Sequence, residues 1–329
     1  MKFLTSIVND DYTLDKLGHD KKSLVSLLET TGLDGFEILM TELYQKELFT
    51  KDFAVGNHLY FYPIWMDFIK GDFDALLKEF KDEKSVFSYY GAKTKKDYIE
   101  NIRKELIKAK AAEYEYVVFH VSHMTLEESF TGNYKYSDFE VASEFIDVLN
   151  QAVRGLDLPF WILLENNWYP GLTFLDNDIT SMFIDELKHD KVGFVLDTGH
   201  LIHTDTGIKT EEDAVTYIMS VLTRMGDLKS HIKCIHLNLS LSGEYREKLN
   251  GKSSLDFNKS FFENMNSAME HIRKIDNHNI FHHNKLKDLI FFIKPLYVVF
   301  ELSFKDKEDL INKISKQDSY IGMRTLSHL

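Results

Sequence analysis

Eight short, almost uninterrupted apolar runs recur along this chain, and longer segments of helical periodicity lie between them. The runs are Phe3–Val8, Gly35–Met40, Ala54–His58, Tyr116–His120, Phe160–Glu165, Val192–Asp197, Ile232–His236 and Tyr297–Glu301. A strand that reads as apolar throughout is one buried on both faces, as in a parallel sheet covered by helices. The intervening segments Lys95–Ala112, Asp138–Gly155, Ser181–His189, Glu211–Leu228 and Lys305–Ser315 carry charged outer faces and a 3.6-type apolar stripe. Such an alternation predicts a closed (β/α)8 barrel of the TIM type. An open doubly wound sheet would usually carry a Gly-rich turn after its first strand, and this chain has none there.

No Pro/Gly/Ser-rich linker divides the chain, so residues 1–329 are expected to form a single domain. Two connections exceed plain strand–helix loops. One, residues 59–93 after the third strand, holds Trp65, Met66, Phe68, Phe87, Tyr89 and Tyr90. The other, residues 239–275 after the seventh strand, is expected to contain a helix from Asn258 onward. Both follow strand C-termini and are candidate lids over the barrel mouth. An apolar fraction of 44% with 25 phenylalanines is ample for a large core. The net charge of −13 argues against a broad basic surface for nucleic acid or anionic lipid. The single cysteine, Cys234, excludes an internal disulfide and a Cys-based zinc site and reads as a core thiol. No run approaches the length of a membrane span and the start has no signal-peptide form, so a cytoplasmic protein is expected.

The chemistry is written at the strand ends. Five runs close on a metal-ligand type: Phe119-His120, Leu164-Glu165, Leu196-Asp197, Ile235-His236 and Phe300-Glu301. A carboxylate or imidazole at the end of a buried strand is costly unless paired or coordinated. Five of them from a closed ring of strands converge on one point. Mixed carboxylate and imidazole donors suit Zn above all, with Mn, Fe or Co also possible.

These residues resemble the xylose isomerase-like barrels, the superfamily that includes endonuclease IV. Asp197-Thr198-Gly199-His200 is similar to its Asp-Thr-x-His signature, Glu165-Asn166 to its Glu-Asn, and His236-Leu237-Asn238 to its His-Leu-Asn. Gly32-Leu33-Asp34-Gly35-Phe36-Glu37 resembles its second-strand pattern, and Tyr98–His120 the helix and fourth strand of endonuclease IV. In isomerases and epimerases of this superfamily the metal set corresponds to Glu165, Asp197, His236 and Glu301. In endonuclease IV-like members three metals are held. Carried over, one takes His58, His120 and Glu165, and a second shares Glu165 and adds Asp197, His236 and Glu301. The third takes His200 with Asp276 and His278 from Asp276-Asn277-His278, a pair displaced far beyond His236; His282 or His283 is the alternative late ligand, and His271 belongs to the same histidine-rich stretch. No counterpart of the DNA-kinking residues is found, which with the acidic charge speaks against duplex DNA.

The resemblance therefore leads to two chemistries. The first is multi-metal phosphoester hydrolysis, in which clustered metals activate water and Glu165 orients it. The alternative is a sugar or sugar-phosphate isomerase or epimerase with Glu165 and Glu301 as the acid/base pair; a non-catalytic or peptide-modifying metal barrel is a further reading. The substrate is expected to be small and phosphorylated or sugar-like. Trp168 and Tyr169 either stack on it or simply pack, and Glu37 either contacts it or makes a structural hydrogen bond.

Overall fold

The computed structural model describes residues 1–39, 48–249, 251–256 and 258–322, so Met40 of the second apolar run lies outside the described residues. The eight runs form eight strands: β1 Lys2–Val8, β2 Gly35–Leu39, β3 Ala54–His58, β4 Tyr116–His120, β5 Trp161–Glu165, β6 Val192–Asp197, β7 Ile232–Leu237 and β8 Tyr297–Phe300. They pair in sequence order, all parallel, and β1 closes on β8 through Lys2 opposite Tyr297 and Thr5 opposite Phe300. The fold is a closed eight-stranded α/β barrel of the TIM type.

Strand alternation explains how this barrel carries both a dry interior and a polar mouth. Val118, Leu163, Val195, Cys234 and Val299 point inward and pack together as an interior plug. Two residues further along each strand, the same inward direction belongs to His120, Glu165, Asp197, His236 and Glu301. Each candidate ligand therefore stands one layer above an apolar residue that excludes water from below. Outward residues such as Phe36, Ile162, Phe194, Ile235 and Phe300 are fully buried against the helices.

The helices start where the capping chemistry places them. Thr94 and Asp97 form a capping box before Lys95–Ala111, and Ser137 and Glu140 do so before Asp138–Val153. The expected Ser181–His189 helix begins earlier, at Asn177, because Asp176 caps the backbone amides of Asp178 and Ile179. Glu211–Arg224 ends sooner than periodicity suggests, and a 3-10 turn over Gly226–His231 leads into β7.

The connection after β3 folds into three short helices, Met66–Lys70, Phe73–Phe80 and Glu83–Tyr90. In the connection after β7 the main helix is Phe261–Ile275, three residues later than the Asn258 start, because Ser260 supplies its N-cap. The two connections pack on each other: the rings of Phe80 and Phe261 lie 4.0 Å apart within one shared aromatic cluster. Trp65 anchors the first to the rim of β4, its indole N–H donating to the Ser122 carbonyl at 2.8 Å.

Candidate metal centre

Glu165, at the end of β5, is fully buried and faced by four imidazoles. His58 Nε2 and His120 Nε2 approach its Oε2 at 3.0 and 2.9 Å. His200 Nδ1 and His236 Nδ1 approach its Oε1 at 3.2 and 3.3 Å. A buried carboxylate without partners would cost several kcal/mol; here each oxygen meets two imidazole nitrogens able to donate a proton to it.

The nine sequence-derived positions gather around this residue. Ligand atoms of Glu165, Asp197, His236 and Glu301 lie within 4.8 Å of one another, and so do those of His200, Asp276 and His278. The rings of His58 and His120 pack edge to face 4.8 Å apart. Among the possible late ligands, the structure brings in His278, whose Nε2 is 2.7 Å from Asp276 Oδ2. His282 and His283 instead pair with Glu211 and Glu212 on the outside, and His271 bonds Tyr245 and the Ser129 carbonyl.

The long excursion between His236 and the Asp-x-His pair is closed by local pairing. Leu239 and Asn279 exchange two backbone hydrogen bonds of 2.7 and 2.9 Å, which pins both ends of the connection together. Ser240 Oγ then accepts from the amides of Asn277 and His278 at 3.1 and 3.0 Å and lies 3.1 Å from Asp276 Oδ1. His278 itself takes φ +49°, a left-handed conformation costly for a residue with a Cβ.

The short motifs acquire physical reasons. Asn166 clamps the Asp197 backbone from both sides, donating to its carbonyl at 3.1 Å and accepting its amide at 2.8 Å. Asp197 Oδ1 accepts from the His200 amide at 2.6 Å, and Oδ2 accepts from Asn238 Nδ2 at 2.8 Å. Gly199 is required between them, since a Cβ there would lie 2.0 Å from Asn238 Oδ1. His203 is a residue that sequence reasoning missed: it is buried, its Nε2 lies 3.5 Å from Asp276 Oδ1, and its one signal was the i, i+3 spacing from His200.

The two aromatic residues that follow Glu165, read as either a stacking platform or packing, lie in the buried wall of the site. Trp168 and Tyr169 are 9% and 4% exposed. Asn167 Oδ1 accepts from both of their amides, which turns the rings inward, and Trp168 packs on His200 and His203. Glu37 is fully buried beneath the ligand layer, bonded to His236 and Tyr116. Beside His120, the one candidate ligand in its wall, lies a cavity of about 860 Å3 lined by Tyr60, Phe61, Tyr62 and Trp65 of the connection after β3 and by Lys104 and Lys108 of the helix Lys95–Ala111. The Phe61 ring lies 4.7 Å from that of His120.

The donor chemistry fits a cation. Imidazole nitrogens and carboxylate oxygens face one another in a water-poor pocket whose more open edge is His120, His278 and Glu301, with side chains 19%, 22% and 19% exposed. In the metal-free protein, protons stand in for cations. Burial opposes charge on His200 and His236, yet Asp197 and Asp276 around the first, and Glu37 and Glu165 around the second, raise both well above the ordinary imidazole range. Burial works against His278 too, but Asp276 and Glu301 push it up to about 10. Burial lifts the Asp197 carboxyl well above the usual range.

Cations entering this cluster must displace those protons, so metal affinity is expected to rise with pH across the neutral range. The sign for stability of the metal-free fold is the opposite. His278 binds its proton more tightly folded than unfolded, so its contribution to the metal-free fold is complete below about pH 6.5. That contribution is lost as pH rises towards about 10. Chelator competition at about pH 6 and about pH 8 checks the first statement; equal affinities would contradict it.

A parallel eight-stranded barrel with convergent His, Glu and Asp side chains at its strand C-termini defines a TIM-barrel enzyme with a candidate metal centre. The chain belongs to the xylose isomerase-like TIM barrel family, whose description matches residues 25–282. Among solved structures it is similar to the 3-keto-D-glucoside 4-epimerase YcjR from E. coli, at 15% identity, covering 99% of each chain with a TM-score of 0.50. It is similar to the IolI protein with a bound zinc atom, at 15% identity, 98% and 99% coverage and a TM-score of 0.51. D-psicose 3-epimerase with D-tagatose, from Clostridium cellulolyticum H10, matches at 9% identity, 99% coverage of each chain and a TM-score of 0.51. No curated protein sequence matches the chain. No helix among the described residues is long and apolar enough to cross a membrane.

Proposed function

We propose that this enzyme isomerises or epimerises a small sugar-like substrate at a divalent metal held by Glu165, Asp197, His236 and Glu301. The observation that carries the reading is that four-residue group, with two glutamates whose ligand atoms lie within 4.8 Å. When bound, a divalent ion supplies Lewis-acid polarisation of adjacent hydroxyl and carbonyl oxygens. The chain's own residues do the rest. Despite burial, His236 and His278 hold the Glu301 carboxyl well below the usual range, which keeps it ionised but less basic than a free carboxylate; it is the proposed acceptor of the proton from carbon once a cation and substrate replace those neighbours. Glu165, also held ionised by its imidazoles despite burial, is the partner carboxylate. The aromatic wall at Tyr60 and Phe61 offers apolar faces to the C–H side of a sugar ring. The epimerase names of similar structures and the acidic net charge support this reading over one on duplex DNA.

Multi-metal phosphoester hydrolysis, the leading expectation from the sequence, becomes the second reading. A specific observation favours it: His58, His120, His200, Asp276 and His278 are ligand-type residues beyond those a one-metal isomerase requires.

Two measurements test the proposal. Protein purified without chelator is expected to carry at least one Zn, Mn, Fe or Co per chain. A panel of ketoses and ketose phosphates, incubated in deuterated water, is expected to show metal-dependent deuterium uptake at carbon for at least one member. Protein that stays metal-free and takes up none of these ions at micromolar levels would defeat the metal-centre reading. Metal-loaded protein that exchanges no substrate proton but cleaves a phosphodiester would transfer the assignment to hydrolysis.

A further inference from the structure

Beneath the ligand layer lies a buried polar contact for which the proposed reaction has no direct use. Glu37 of β2, Gly56 of β3 and Tyr116 of β4 stand in register on three neighbouring strands. The Tyr116 ring lies over Gly56: a Cβ at position 56 would meet the ring at 2.1 Å and the hydroxyl oxygen at 2.4 Å. The absent side chain on β3 lets Tyr116 reach across that strand and donate its hydroxyl proton to Glu37 Oε2 at 2.8 Å. The same oxygen faces His236 Nε2, from the opposite wall of the barrel, at 3.1 Å. Glu37, Tyr116 and His236 are all 0% exposed, and Glu37 Oε1 makes no hydrogen bond among the described residues. The carboxylate's hydrogen bonding is therefore concentrated on these two partners.

The other nitrogen of His236 looks the opposite way. Nδ1 lies 3.3 Å from Glu165 Oε1 and 3.3 Å from Glu301 Oε2, inside the candidate centre. An imidazole that ligates through Nδ1 must carry its remaining proton on Nε2, and the tautomer is set by whatever accepts that proton. A full carboxylate, itself fixed by a tyrosine, is the acceptor here.

We propose that Glu37, locked by Tyr116 across Gly56, is a positioning residue that holds His236 in the Nε2–H tautomer and so sets the affinity of the metal centre. This rests on the metal-centre reading of the mouth. Glu37 touches neither substrate nor ion; it acts through His236.

The test is zinc affinity by chelator competition on wild type, Glu37→Gln and Tyr116→Phe, with the melting temperature of each metal-free protein measured beside it. Cobalt-substituted spectra report the geometry at the centre. Glu37→Gln is expected to weaken zinc about 10- to 100-fold and to alter the cobalt spectrum, with the same number of sites. Tyr116→Phe, which keeps the carboxylate and loses its anchor, is expected to weaken zinc by a smaller factor. It serves as the deciding variant if Glu37→Gln does not fold. Unchanged affinity in a folded Glu37→Gln protein overturns the proposal, as does unchanged affinity in Tyr116→Phe where that variant decides. One site fewer in Glu37→Gln also overturns it, since Glu37 would then itself be a ligand. Wild type that takes up none of Zn, Mn, Fe or Co refutes the metal centre as a whole, an outcome distinct from any that concerns Glu37 alone.

Discussion

Replacing Glu165 by Gln is expected to lower turnover by about 10²- to 10⁴-fold while the protein still melts cooperatively. The residue is shared by both chemistries, as partner carboxylate in proton transfer and as the group that orients water in hydrolysis. Four imidazoles converge on it from β3, β4, β7 and the turn after β6. The amide keeps the shape but removes the charge that holds those rings around a cation, so metal content is expected to fall with activity. The closed barrel and its apolar plug do not depend on that charge, hence the expected normal melt. Steady-state assay, elemental analysis and calorimetry on one preparation check the three parts. Retention of most activity would mean that the chemistry is centred elsewhere.

The second large effect separates the two reactions. His278→Ala removes the outermost member of the His200–Asp276–His278 group and leaves the four-residue group of Glu165, Asp197, His236 and Glu301 in place. For an isomerase working at that four-residue group, sugar turnover in the variant is expected to stay within about tenfold of wild type, with its metal retained. For a hydrolase that uses a third ion, the variant would lose one metal and most phosphoesterase activity. Metal counting on both proteins, with a ketose panel beside an abasic-site oligonucleotide, reads both outcomes. Loss of an ion together with loss of phosphodiester cleavage would establish the hydrolytic reading. Strong abasic-site cleavage by wild type would show that the acidic net charge of −13 does not keep duplex DNA out.

Much of this enzyme was legible in the chain because strand physics has a short period. A buried parallel strand needs an apolar run, and alternation then dictates which end residue points inward, so His120, Glu165, Asp197, His236 and Glu301 could be picked before any contact was known. Helix ends were less legible. Asp176 and Ser260 shift the starts of their helices by capping, and periodicity weighs those residues lightly.

What the chain could not disclose were distances set by segments remote in sequence. Trp168 and Tyr169 read equally well as a stacking platform or as packing, and their place in the buried wall beside His200 and His203 follows from a turn on Asn167 that periodicity does not register. His278 was favoured by its Asp-x-His spacing with His282 and His283 as alternatives; the Leu239–Asn279 bridge and Ser240 bring Asp276-Asn277-His278 back to the rim. The role of Glu37 depended on Gly56 and Tyr116 from two further strands and on His236 from across the barrel. The sequence by itself determined the barrel and the kind of atoms at its mouth, since burial and alternation act residue by residue along a strand. Tertiary structure alone decided which of those atoms meet, because hydrogen-bond partners and cation ligands are chosen within a few ångströms by chain segments that the barrel's closure brings together.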